Sequence, residues 1–268
     1  MFEQIYSIEW LTKKPRYTFL LGMFYSLLGI VTALLLFPED PSLASLAFTT
    51  IAIVPSLNRL LLQEENEESK FKKFSVRKVF TCHKDIFQIY IFLFFGILFT
   101  YSFFSIVLPD LAKQHLFSSQ LDIYHAFVGQ ADNVGATFLS LVQNNLTVLV
   151  VFLILSFIYG AGSVFLIAWN ASVWGAIFGY IAHQAAAAQG INPIFSFFAL
   201  FLGVFPHTFL EALGYFGASI AGGVISTAAI REKILSKKFK IIVIDGLFLF
   251  LLSVFVVILG AYVESILV

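Results

Sequence analysis

LTVLVVFLILSFIYGAGSVFLIAWNASVWGAIFGYIA, residues 146–182, contains no charged side chain. A crossing of the hydrocarbon core takes roughly 20 apolar residues. The stretch is therefore too long for one span and long enough for two. Gly160-Ala161-Gly162 near its middle is where the chain is expected to turn, because glycine reaches backbone conformations that other residues avoid. The spacing predicts a tight hairpin of two membrane helices.

The rest of the chain follows the same logic. Tyr17–Phe37 is apolar and is closed by Pro-Glu-Asp-Pro at 38–41. Leu43–Leu57 is shorter and carries Pro55, which makes it the weakest span. Ile86–Leu108 is a clear span stopped by Pro109-Asp110, and Ile241–Val263 is another. Pro193–Ile230 is long and interrupted by Gly203 and Pro206, so it reads either as one kinked span or as a half-helix followed by a full span. Val134–Val142 is expected to form a short amphipathic helix at the interface. The fold class is thus an all-α polytopic transmembrane bundle of about seven spans. Three regions are expected: an N-terminal hairpin at 1–62, a charged cytoplasmic loop at 63–85, and a membrane domain at 86–268.

Composition agrees. Of the 268 residues, 59% are hydrophobic and only 12% charged, with 33 Phe. Too few polar residues remain to cover a water-soluble surface. A soluble globular enzyme, a disordered tail and a nucleic-acid binder are excluded. The single cysteine, Cys82, cannot form an internal disulfide or a Cys-based zinc site. The basic cluster Lys13, Lys14, Arg16 before a long first span reads as a retained signal anchor rather than a cleaved leader.

Sixteen basic residues balance sixteen acidic ones, but the balance hides an asymmetry. With seven crossings, 15 of the 16 basic residues fall at one end and only Lys113 at the other. Basic loops stay cytoplasmic, so the N-terminus is expected inside and the C-terminus outside. The loop at 63–85 joins an acidic block (Glu64, Glu65, Glu67, Glu68) to a basic one interleaved with Phe71, Phe74, Val79 and Phe80. Such a loop suits anionic headgroups.

Ionisable groups inside spans are costly, about 2.5–3.5 kcal/mol each near the bilayer centre on insertion scales. They are the first places to look for function. His207 and Glu211 stand four residues apart on one helix face, which continues through Gly214, Ala218, Ala221 and Gly222. A second small-residue stripe, Ala168, Ser172, Gly175, Gly179 and Ala182, runs along the fifth span. Small residues let helices approach closely in lipid, so the two stripes are expected to meet. Asn170 and Asp245 complete an expected intramembrane polar cluster with His207 and Glu211, placed by helical rise in the half nearest the basic loops. Asn144, Asn145 and Glu264 are expected at the interface. No metal-binding motif such as H-E-x-x-H occurs. The cluster reads first as a hydrogen-bonded network that sets helix register, ahead of any catalytic use. The alternative is a transporter or permease that binds an ion or small solute there.

The run from Asn144 to Gly223 carries a resemblance. Asn144-Asn145 opens a span, Tyr159-Gly160-Ala161-Gly162 turns it, Trp169-Asn170-Ala171-Ser172 lies in the next, and Pro206-His207-Thr208-Phe209-Leu210-Glu211 precedes the small stretch Gly217–Gly223. This resembles the stage II sporulation protein M family of polytopic membrane proteins, and most of all its archaeal members, from about Ile86 to the C-terminus. Ala261-Tyr262-Val263-Glu264 is similar to the family's last span. Thr208 stands where the family has glycine after the histidine. The resemblance implies a non-enzymatic membrane scaffold without cofactor or metal, since the named member holds cell-wall hydrolases during engulfment. It also implies importance for Asn145, Asn170, His207 and Glu211. The expected partners are the lipid bilayer of the cell membrane, other membrane or envelope proteins, and a second copy of the chain, but no nucleic acid.

Overall fold

A computed structural model of the chain describes residues 8–68, 75–131, 138–160, 162–234 and 236–267. Among the described residues the elements are all helices: α1 (Ile8–Lys13), α2 (Tyr17–Leu36), α3 (Pro41–Glu68), α4 (Val76–Val107), α5 (Asp110–Leu116), α6 (Ser118–Ala131), α7 (Phe138–Tyr159), α8 (Ser163–Gln189), α9 (Pro193–Arg231) and α10 (Lys237–Leu267). Seven of them, α2, α3, α4 and α7 to α10, are long and apolar enough to cross a membrane. The protein is a multi-pass, all-α membrane bundle. In lipid every backbone N–H and C=O must be satisfied within the segment, which is why apolar runs of this length become helices.

The boundaries depart from the sequence reading in three places and settle one alternative. The weak second span is the apolar part of a 28-residue helix, α3, that starts at Pro41 and continues through Pro55. Proline suits a first helical turn. Part of the loop at 63–85 is helical, since α3 runs to Glu68 and α4 begins at Val76, while Lys70, Phe71, Lys72, Lys73 and Phe74 lie outside the described residues. The amphipathic helix expected at Val134–Val142 is not separate: from Phe138 it is the first part of α7, and Val134 lies outside the described residues. Of the two readings open for Pro193–Ile230 the single span holds: α9 is one helix of 39 residues through Pro206, about 58 Å long at the usual rise. Beside the proline, Thr208 Oγ1 donates to the carbonyls of Val204 at 2.9 Å and Phe205 at 3.3 Å. A hydroxyl bonded to local carbonyls is one of the ways a membrane helix tolerates proline.

The hairpin at 146–182 turns where expected, between Tyr159 and Ser163, with Ala161 outside the described residues. Only Gly160 needs glycine's freedom, with φ of 60°; Gly162 caps α8 in an ordinary right-handed conformation. A Cβ at Gly160 would meet nothing closer than Asn58 Oδ1 at 3.5 Å. Gly160→Ala is therefore a test of backbone strain alone. It is expected to lower stability by about 1–2 kcal/mol in detergent unfolding, and an unchanged unfolding midpoint would contradict it.

The glycines of the two small-residue stripes do not face one another, because each pair packs on a different neighbour. A Cβ at Gly175 would stand 2.5 Å from the Leu98 carbonyl oxygen, and one at Gly179 would stand 2.7 Å from that of Ser102, so the α8 stripe lies against α4. On α9, a Cβ at Gly214 would meet Ser253 O of α10 at 3.0 Å, and one at Gly222 would meet Leu153 O of α7 at 2.5 Å. Hydroxyls add to the α9 contacts. Ser219 of α9 bonds Ser163 of α8, and Ser156 of α7 donates to it at 3.4 Å. This arrangement brings α7 and α10 together against the face of α9 from which its polar groups project.

The end opposite the basic loops is capped by α5 and α6. Lys113, the lone basic residue assigned to that end, is fully buried with its Nζ 3.0 Å from Asp110 Oδ1 and 5.6 Å from the Tyr180 ring centre. The hydrogen bond from Lys113, helped by its charge, holds the Asp110 carboxyl below the usual range. His115 Nε2 lies 2.7 Å from the Pro38 carbonyl oxygen, and Ser42 donates to Gln120 Oε1 at 2.8 Å. His183 Nδ1 is 3.0 Å from the Ile106 carbonyl oxygen. The first two bonds tie the cap to the start of α3, and the third ties α8 to α4 beneath it.

Candidate functional site

His207, Glu211 and Tyr215 recur every four residues on α9 and so share one face. His207 and Glu211 are 7% and 8% exposed, which is low for ionisable groups in lipid and demands partners. Glu211 Oε1 accepts a hydrogen bond from Asn145 Nδ2 of α7 at 2.8 Å. The Oδ1 of Asn145 accepts from the Tyr215 hydroxyl at 3.3 Å and from Asn144 Nδ2 at 3.3 Å. The Tyr215 ring stacks on Phe152, with centres 5.1 Å apart and planes within 7°. Asn145 and Tyr215 are thus each held by more than one contact.

The third wall is α10. A Cβ at Gly260 would lie 3.3 Å from Glu211 Cγ and 3.4 Å from the His207 carbonyl oxygen, so α10 approaches α9 closely at this turn. One turn further along α10, Glu264 lies beside Glu211. The arrangement is a polar brace: Asn145 of α7 is hydrogen-bonded to Glu211 and Tyr215 of α9, and α10 packs against them at Gly260. The Nδ1 of His207 is buried without a hydrogen-bond partner.

The structure brings together a different set from the expected four. His207 and Glu211 share their face as the spacing requires. Asn170 instead donates from Nδ2 to its own helix at Leu166 O, 2.9 Å away. Asp245 is buried on α10, but it precedes Gly260 by fifteen residues, about 22 Å of helix, and so cannot reach Glu211. Their places are taken by Asn145 and Glu264, which the sequence puts at the interface. Depth also differs. The brace lies in the half away from the basic loops, since α9 is unusually long and Glu211 sits twenty residues, about 30 Å, before its end at Arg231. Tyr215 and Gly260 had no role in the sequence reading. The four-residue step from Glu211 to Tyr215 was the available signal for the first, and nothing local marks the second.

Among the described residues no three His, Cys, Asp or Glu side chains converge as metal ligands. The brace offers hydrogen bonds between helices, with donors and acceptors matched at Asn145 and Glu211.

Comparison with known proteins gives one match. A family model described as Stage II sporulation protein M fits residues 89–267, well over half of the chain, from early in α4 to the end of α10. It includes Asn145, Asn170, His207, Glu211 and Glu264, while α2 and α3 precede it. No curated protein and no solved structure matches the chain significantly.

Proposed function

The chain belongs to the stage II sporulation protein M family, and on that premise we propose that it is a non-enzymatic scaffold of the cell membrane. In this reading it assembles other membrane or envelope proteins and carries its basic loops and N-terminus in the cytoplasm, with the C-terminus outside. The observation that supports it is the Asn145–Glu211 hydrogen bond between α7 and α9. Glu211 is committed to joining two helices, and Gly260 closes α10 against it. A scaffold needs helices in one fixed relation so that its surface matches a partner, and a buried polar network suits that need. A transporter needs the same carboxylate to meet water and a solute near the midplane.

Glu211→Gln is the test. The amide keeps an acceptor for Asn145 but removes the ionisable group. Cross-linking in native membranes, followed by identification of the cross-linked proteins, is expected to show partner complexes reduced at least threefold. Ion and solute flux in liposomes should be unchanged. Flux that depends on Glu211 while the complexes persist would overturn the proposal.

A further inference from the structure

Helices α4 and α10 both pack on α9 but barely touch each other. An open groove of about 330 Å³ runs between them, with Leu213 of α9 at its floor. Phe80, Lys84, Phe87 and Gln88 of α4 line one wall, and their spacing puts them on one helix face. Leu252 and Val256 of α10, four residues apart, line the other. The floor is closed at Gly217 of α9, where a Cβ would collide with Ser253 Oγ and stand 3.4 Å from Phe87 Cζ.

Depth and charge agree on one occupant. The apolar part of α4, Val79–Val107, is 29 residues long, about 43 Å, against roughly 30 Å of hydrocarbon. Its only Lys and Asp, Lys84 and Asp85, fall in the first two turns, so the excess length lies at the basic end and Lys84 stands at the headgroup layer. Lys84 is exposed, and among the described residues its side chain makes no ion pair or hydrogen bond. Arg77, seven residues earlier on the same face, is exposed and its side chain is equally uncommitted. No carboxylate opposes them in the groove. Asp85 is turned about 100° from Lys84 around the helix, and Asp245 is buried on α10 without lining the groove. Glu232 is engaged by Lys238 at 3.7 Å, and no residue of α3, whose end is acidic, contributes to the lining. The Gln88 amide, one turn deeper than Lys84, also has no partner among the described residues. A cation, then an amide, then an apolar slot follows the order of groups in a phospholipid: phosphate, ester, acyl chain. Two cations on a face without acids favour an anionic headgroup over a zwitterionic one. We propose that this groove binds one anionic phospholipid, with its phosphate on Lys84, an ester carbonyl on Gln88 and an acyl chain between Phe87 of α4 and Leu252 and Val256 of α10.

The site stands apart from the scaffold reading, because Asn145, Glu211 and Tyr215 do not line it. The full chain is reconstituted into nanodiscs of phosphatidylcholine containing a minor share of phosphatidylglycerol, and native mass spectrometry reads the retained lipid. The expected result is phosphatidylglycerol held in preference to phosphatidylcholine. Lys84→Gln should lower its retention about fivefold, the scale of one basic residue at an anionic surface. Lys233→Gln, exposed at the same end of the bundle but off the groove, should leave it unchanged. Leu252→Trp fills the groove and should lower retention of the lipid, whereas Leu251→Trp, 58% exposed and off the groove, should not. Equal retention of phosphatidylcholine by the native protein would overturn the proposal. So would equal losses for Lys233→Gln and Lys84→Gln, which indicate diffuse charge, or a folded Leu252→Trp protein that retains the lipid in full. Displacement of the lipid by dissolved glycerol phosphate would show a soluble-anion site instead and overturn it too. Should Leu252→Trp misfold, the comparison of Lys84→Gln with Lys233→Gln, both at exposed positions, decides.

Discussion

Replacing Gly96 with leucine is expected to part α2 from α4 and to destabilise the bundle by at least about 3 kcal/mol, beyond the usual cost of an overpacked core. A Cβ at Gly96 would collide with the Phe19 carbonyl oxygen and stand 3.0 Å from Met23 N and 3.1 Å from Gly22 Cα. All three are backbone atoms of α2, so no side chain can swing aside to make room. The reciprocal contact is as close, since a Cβ at Gly22 would lie 2.6 Å from the Leu93 carbonyl oxygen and 3.2 Å from Gly96 Cα. Association of helices in lipid depends on such close packing, because lipid tails are as apolar as the side chains they replace. Gly96→Ala should cost less, about 1–3 kcal/mol. Gly203→Ala on α9 supplies the control: nothing lies within 4 Å of a Cβ there, and removing a mid-helix glycine is expected to stabilise by about 0.5–1 kcal/mol. Unfolding in mixed micelles measures all three. A Gly96→Leu protein with native stability would show that α2 does not dock where the structure puts it. Gly96 belongs to the family-matched segment and Gly22 precedes it, so the same experiment measures how far the N-terminal hairpin is integral to the membrane domain.

The second large effect is expected at the brace. Glu211→Ala strands the buried Asn145 amide between packed helices, and should destabilise by about 2–3 kcal/mol, the range for a lost bond to an ionisable group with its partner left buried. Asn145→Ala should act in the same direction. The double variant should be less harmful than the sum of the two, with a coupling of about 1 kcal/mol, as interhelical hydrogen bonds in membranes rarely exceed that by much. Glu211→Gln keeps the acceptor for Asn145 and should fall within about 1 kcal/mol of the native protein. That is what makes it suitable for testing partner assembly. Strict additivity of Glu211→Ala and Asn145→Ala would mean that the 2.8 Å contact between them contributes nothing to stability.

Much of the fold was legible in the sequence because it rests on local quantities. Span length follows from bilayer thickness, the turn at Gly160 from a glycine pair in an uncharged run, and the shared face of His207 and Glu211 from the period of a helix. The motif run from Asn144 to Gly223 was enough to indicate the family that the match at residues 89–267 supports. Less legible were the ends of elements. Pro55 and Pro206 look like breaks, yet both lie inside continuous helices, since a membrane leaves the backbone no better way to satisfy its polar groups.

What only the tertiary structure decided is which surfaces meet. Both glycine stripes were evident, but that Gly175 and Gly179 seat α4, while Gly214 and Gly222 seat α10 and α7, was not. Nor was the choice of Asn145 and Glu264, rather than Asn170 and Asp245, as the companions of Glu211. The physical reason is common to both. Every outward face of a membrane helix is apolar, so hydrophobicity separates span from loop without ranking one neighbour over another. The ranking comes from shape and from hydrogen bonds between residues distant in sequence, and those exist only once the helices have packed.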